Sequence, residues 1–260
     1  MMRTMKIIAI AVSTTLPFAQ PAHAQIVASS GADYSSGRYG TGQRISIATA
    51  SLGLRAAHKR LTIFAAIPVV RIDAPANVVV TGGPLGLPLF ADPTRPATRI
   101  RRSGLGDATI GGAYQLLDPK PGRVALALTG SIKLPTASAA RGLGTGKTDF
   151  AIAADVARAG KITPFAQIAY TVVGQPASFR LKNIVAAKGG VALRVGKTSN
   201  VSLSYSYASR AIAGIADRRE LGAGLETALS NRLSVGVQGS VGLSRSAPAA
   251  GAGLRLGLRL

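Results

Sequence analysis

From Gly253 to Leu260 the chain alternates without interruption, with leucine at every even position and glycine or arginine at every odd one. Successive side chains of a strand point to opposite faces, so this segment has one apolar and one cationic face. The same period recurs upstream. In 122–134 Val124, Leu126, Leu128, Ile132 and Leu134 share a face opposite Arg123, Thr129, Ser131 and Lys133. In 231–243 Leu233, Val235, Val237, Val241 and Leu243 oppose Arg232, Ser234, Gln238 and Ser240, and in 219–230 Leu221, Leu225 and Leu229 oppose Glu220 and Glu226. In 185–197 the contrast is Val191, Leu193 and Val195 against Lys188 and Arg194.

The pattern predicts about twelve strands, each long enough to cross a bilayer at a tilt. They lie near 27–38, 43–56, 59–71, 106–117, 122–134, 148–158, 161–173, 185–197, 199–210, 219–230, 231–243 and 249–260. Tight turns are expected at Ala57-His58, Asp118–Gly122, Ala159-Gly160, Thr198 and Ser230-Asn231. Longer connections fall at 72–105, 135–147, 174–184 and 211–218, with short ones at 39–42 and 244–248 on the same side. Turns and loops therefore alternate, as the periplasmic turns and external loops of an outer-membrane barrel do. The fold class expected is all-β, a transmembrane antiparallel up-and-down β-barrel. A soluble sandwich would also alternate, but it would turn the apolar face toward a second sheet.

The first residues change the picture of localisation. Arg3 and Lys6 precede an apolar run (Ile7, Ile8, Ala9, Ile10, Ala11, Val12) and then Ala22-His23-Ala24, so residues 1–24 are expected to be a signal peptide. Residues 25–260 are expected to form the barrel, in the bacterial outer membrane. The formal charge of +21 would ordinarily point to nucleic acid. Here the basic residues are scattered through strands opposite apolar ones, and an exported chain does not meet nucleic acid. The partners expected are outer-membrane lipid and lipopolysaccharide, the barrel-assembly machinery and a small solute. Two features depart from the usual barrel: there is no tryptophan, and the last residue is Leu260 rather than an aromatic. Tyr114, Tyr170, Tyr205 and Tyr207 are the candidates for a thin interfacial girdle.

Several segments resemble the outer-membrane barrel family named for the phenol-degradation meta-pathway and described as transporters. They are Asp33–Gly40 and Ala65–Ile72, then Gly104-Leu105-Gly106-Asp107, then Lys133-Leu134-Pro135-Thr136 followed by Leu143–Asp149. The resemblance covers nearly all of 25–260. It implies a barrel through which small molecules pass, and it carries no site residues with it.

Catalysis finds little support in the residues. Cysteine is absent, and beyond the leader the only histidine is His58, expected at a periplasmic turn beside Lys59 and Arg60. Neither a serine–histidine pair nor a metal-ligand set is present, and no cofactor is expected. Gly142–Thr148 looks like a phosphate loop but has Arg141 where the first glycine belongs, so it reads as a glycine-rich external loop entering a strand. Asp107 and Asp149, each following glycines, read as turn formers.

The basic residues opposite the apolar face carry the functional expectation. Arg44, Arg123, Lys133, Lys188, Arg194, Arg232, Arg255 and Arg259 are expected to line the lumen, because a cation on the lipid face at mid-depth costs about 2–4 kcal/mol. A lumen so lined favours passive passage of small anionic or aromatic-acid solutes. The alternative is a non-conducting structural or adhesive barrel, its lumenal cations paired with acids such as Glu220, Glu226 and Asp155. The 72–105 loop, with Phe90, Arg95, Arg99, Arg101 and Arg102, has three readings: an inward constriction, a clamp on lipopolysaccharide phosphates, or an unordered surface loop.

Overall fold

A computed structural model describes residues 25–80, 98–177 and 180–260, together with the backbone of 11–12, 14–15 and 89–91. The expected leader otherwise lies outside the described residues, and so does Arg95. No described residue is helical, and no helix is long and apolar enough to cross a membrane.

The barrel strands are β1 (Gln25–Gly37), β2 (Ile45–His58), β3 (Leu61–Pro75), β4 in two parts (Arg99–Leu105 and Ala108–Leu117), β5 (Val124–Leu134) and β6 (Asp149–Arg158). They continue as β7 (Ile162–Val172), β8 (Ile184–Val195), β9 (Ser199–Ala208), β10 (Arg218–Ala228), β11 (Leu233–Gly242) and β12 (Ala250–Arg259). Each pairs antiparallel with its neighbours in sequence, and β12 pairs with β1, so twelve strands close into one barrel. Both parts of β4 pair with β3, interrupted at Gly106-Asp107. A single closed sheet has no second sheet against it, which excludes the sandwich.

Alternation sets the wall. Leu203 is 62% and Ile168 58% exposed, values that would be costly in water and are natural against lipid. Tyr34, Tyr114, Tyr170 and Tyr205 stand on this outer face. Tyr114 lies toward the periplasmic end and the other three toward the loops. Inside, residues are mostly small or polar apart from an apolar cluster near the loop end, and the inward Phe64 and Phe165 lie over glycines. A Cβ on Gly190 would come within 2.8 Å of the Phe165 ring.

The expected strands recur with two shifts. The first periplasmic turn is Lys59-Arg60 rather than Ala57-His58, with Lys59 at φ 51°. The described residues of the loop expected at 72–105 are mostly strand. Residues 69–75 of β3 pair with 99–105 of β4, and Val78–Val80 pairs with Leu89–Ala91 as a short ribbon. Asp73 and Arg101 face each other across that ladder, an opposite-charge pairing that extends it.

Candidate functional site

The lumen holds a cavity of about 410 Å³, within the range that takes a small molecule. One side of it is apolar. The segment following β5, residues 135–148, folds inward and places Leu143 in a buried cluster with Tyr39, Ile45, Ile47, Val70 and Ile72. Tyr39 reaches in from the β1–β2 connection and donates its hydroxyl to Ser35 Oγ at 2.7 Å. Burial pushes its phenol above the ordinary value, so the cap stays uncharged there.

A buried ion network holds the inward loop. Lys133 Nζ lies 2.8 Å from Asp149, 3.2 Å from Asp107 and 3.3 Å from Thr145 Oγ1. The Lys133 side chain is only 5% exposed, so neither partner can be exchanged for water. Around it, the Ala137 amide donates to Asp107 at 3.0 Å and the Gly174 amide to Asp149 at 2.9 Å. Thr136 donates to the Gly106 carbonyl at 2.8 Å. Gly144 passes so close that a Cβ there would meet the Asp107 carboxylate at 2.9 Å. The segments Gly104–Asp107, Lys133–Thr136 and Leu143–Asp149, far apart in sequence, thus meet in one knot. Asp107 and Asp149 are ligands of a lysine rather than turn formers. Their recurrence beside glycine in the motifs was the available signal.

The polar side of the cavity comes from β8–β12 and β1. Adjacent inward positions form a row, with Asp155, Gln167, Lys188, Ser206 and Glu220 paired in succession across β6 to β10. Asp155 accepts from Thr129 and Gln167. At the β12–β1 seam Arg255 sits 3.3 Å from Asp33, which also accepts from Gln238 at 2.9 Å. Arg218 pairs with Glu220. Four cations (Lys133, Lys188, Arg218, Arg255) and four carboxylates (Asp33, Asp107, Glu220, Glu226) line the cavity. The cavity wall is therefore charge-balanced. Of those cations Lys188 alone has no carboxylate within salt-bridge distance among the described residues.

The eight expected lumenal cations divide. Lys133, Lys188, Arg194, Arg255 and Arg259 point inward from their strands. Arg123 and Arg232 lie exposed in periplasmic turns, before β5 and β11 begin. Arg44 is a correction: it shares the outward face with Leu52 and Leu54 and donates Nε to Ser36 Oγ at 3.1 Å. It sits at the rim, where an outward charge costs little. The residues of the expected constriction also divide. Arg99 and Arg101 lie exposed on the outer face of β4. Arg102 turns inward and donates to the carbonyls of Ala76 and Val78, and Phe90 belongs to the short ribbon. Ala74 and Val78 nonetheless join Leu143 in the buried inner cluster, so the 72–105 segment and residues 135–148 both reach inward. His58 is exposed at the periplasmic turn, and among the described residues no cluster of histidines and carboxylates could hold a metal.

Solved structures share this architecture. An outer membrane channel from Pseudomonas putida F1 superposes with a TM-score of 0.71 at 13% identity, covering 94% of this chain and 98% of that one. The NanC porin follows at a TM-score of 0.52 and 7% identity, with 88% and 97% covered. No curated protein matches the chain. The chain has the fold of an outer-membrane β-barrel. The family model described as "Putative MetA-pathway of phenol degradation" matches residues 27–260, nearly every described residue, and the chain belongs to that family.

Proposed function

We propose that the protein is an outer-membrane channel for small solutes with an apolar, ring-sized body and an anionic group, such as aromatic acids. The observation that carries this is the two-sided cavity. Tyr39, Ile47, Val70 and Leu143 offer an apolar wall, and the Lys188 amine stands across from it without a carboxylate of its own. Its neighbours in the row, Gln167 and Ser206, are neutral, so Lys188 is the group a passing carboxylate would meet. Because the remaining cations are neutralised in place, the preference for anions is modest and rests on this one side chain.

The test is permeation of proteoliposomes by benzoate, benzyl alcohol and benzylammonium, with reversal potentials in planar bilayers alongside. Benzoate should enter fastest, and Lys188→Gln should bring it down to the neutral alcohol. Cation selectivity, or a benzoate rate indifferent to Lys188, would sink the reading of solute class. A second reading, a non-conducting structural barrel, draws on the apolar cluster around Leu143 and the ion pairs that fill the wall. Absence of current from protein that shows the folded, heat-modifiable gel band would decide for it.

A further inference from the structure

The outward face of the extracellular rim carries a charge pattern of its own. Val69 and Leu105 are half exposed on the lipid side. Steps of two along β3 lead from Val69 to Arg71 and Asp73, and steps of two back along β4 lead from Leu105 to Ser103, Arg101 and Arg99. Arg99 lies 2.7 Å and Arg101 3.3 Å from the same Asp73. Arg99 also donates to the Arg44 backbone carbonyl at 2.8 Å, while the Arg44 guanidinium reaches to Ser36 on the same outward face. Two arginines thus share one carboxylate, and Arg71 and Arg44 lie on the same outward face. The Arg99 and Arg101 side chains remain 49% and 63% exposed, so both stay accessible from outside the wall.

We propose that this rim is a docking site for the phosphate groups of lipopolysaccharide in the outer leaflet. An outward charge is costly in the hydrocarbon and cheap near its boundary, so four arginines on one stretch of outer wall mark headgroup depth. The stretch lies at the loop end of the barrel, which faces the cell exterior. Charge complementarity selects the occupant. The guanidinium fork matches phosphate oxygens in pairs, and a diphosphorylated glycolipid presents two such groups. Asp73 holds Arg99 and Arg101 side by side before the lipid arrives, so less side-chain freedom is lost on binding. The site lies outside the lumen and stands independently of what the channel carries.

Native mass spectrometry of the purified barrel, titrated with diphosphoryl lipid A and with the same lipid enzymatically dephosphorylated, tests this directly. The phosphorylated lipid should be retained at about tenfold lower concentration. Arg99→Gln with Arg101→Gln should bring that preference to within about twofold, while Lys188→Gln in the lumen leaves it intact. Should the double variant fail to give the folded gel band, Arg71→Gln, which touches neither ion pair, should still lower the preference about threefold. Equal retention of the two lipids by the unaltered protein would overturn the proposal. So would phosphatidylglycerol held as firmly as diphosphoryl lipid A, or an unchanged preference in folded variants.

Discussion

Arginine and lysine occupy two walls of this barrel under opposite accounting. On the inner wall Lys133 has Asp107 and Asp149, Arg218 has Glu220, and Arg255 has Asp33. On the outer rim Arg99 and Arg101 share Asp73, and Arg44 and Arg71 stand on the same face without an ion pair among the described residues. The difference is one of solvent. A lumen only wide enough for a small molecule cannot hydrate many buried charges, so the cations lining its cavity are matched from within the chain, Lys188 excepted. The rim borders headgroups and water, where unmatched cations cost little and remain available to a partner. Net charge of +21 is therefore a property of the surfaces far more than of the cavity wall.

The contrast can be broken most severely at Lys133. Lys133→Met leaves two carboxylates in a pocket closed to water, and it should cost about 3–5 kcal/mol in the unfolding equilibrium measured in detergent or lipid. Adding Asp107→Asn and Asp149→Asn should recover much of that loss; no recovery would mean the network holds nothing together. Leu143→Ala empties part of the apolar cap. It should cost about 2–3 kcal/mol and widen the lumen, seen as increased single-channel current. At the seam, Arg255→Gln removes a pair about a quarter to a third exposed and should cost no more than about 1 kcal/mol by the same unfolding assay. Arg101→Gln on the rim should leave detergent stability within about 0.5 kcal/mol. A rim variant as costly as the Lys133 one would erase the distinction between the walls.

The outcome at particular residues shows what a sequence reader could reach. Strand number, the inward stance of Lys188, Arg255 and Arg259, and the outward tyrosines all followed from the alternation of neighbours. Arg44 was legible too, since it shares parity with Leu52 and Leu54, but its charge argued for the lumen and its height in the membrane was hidden. In the 72–105 segment Pro75 and Asn77 punctuate the chain soon after Asp73, but the partner strand Arg99–Leu105 lies more than twenty residues on, so the ladder was not legible. Asp107 and Asp149 looked like turn formers because their lysine lies on another strand.

By itself the sequence determined the wall: a strand sends its side chains alternately to two faces, and lipid accepts only one kind, so a local pattern reports a global surface. Tertiary structure alone decided which loops enter the lumen, which cations are matched, and where the arginines stand in depth. Those depend on closure of the barrel, which brings Asp107, Lys133 and Asp149 within one ion network and sets Arg99 and Arg101 about Asp73.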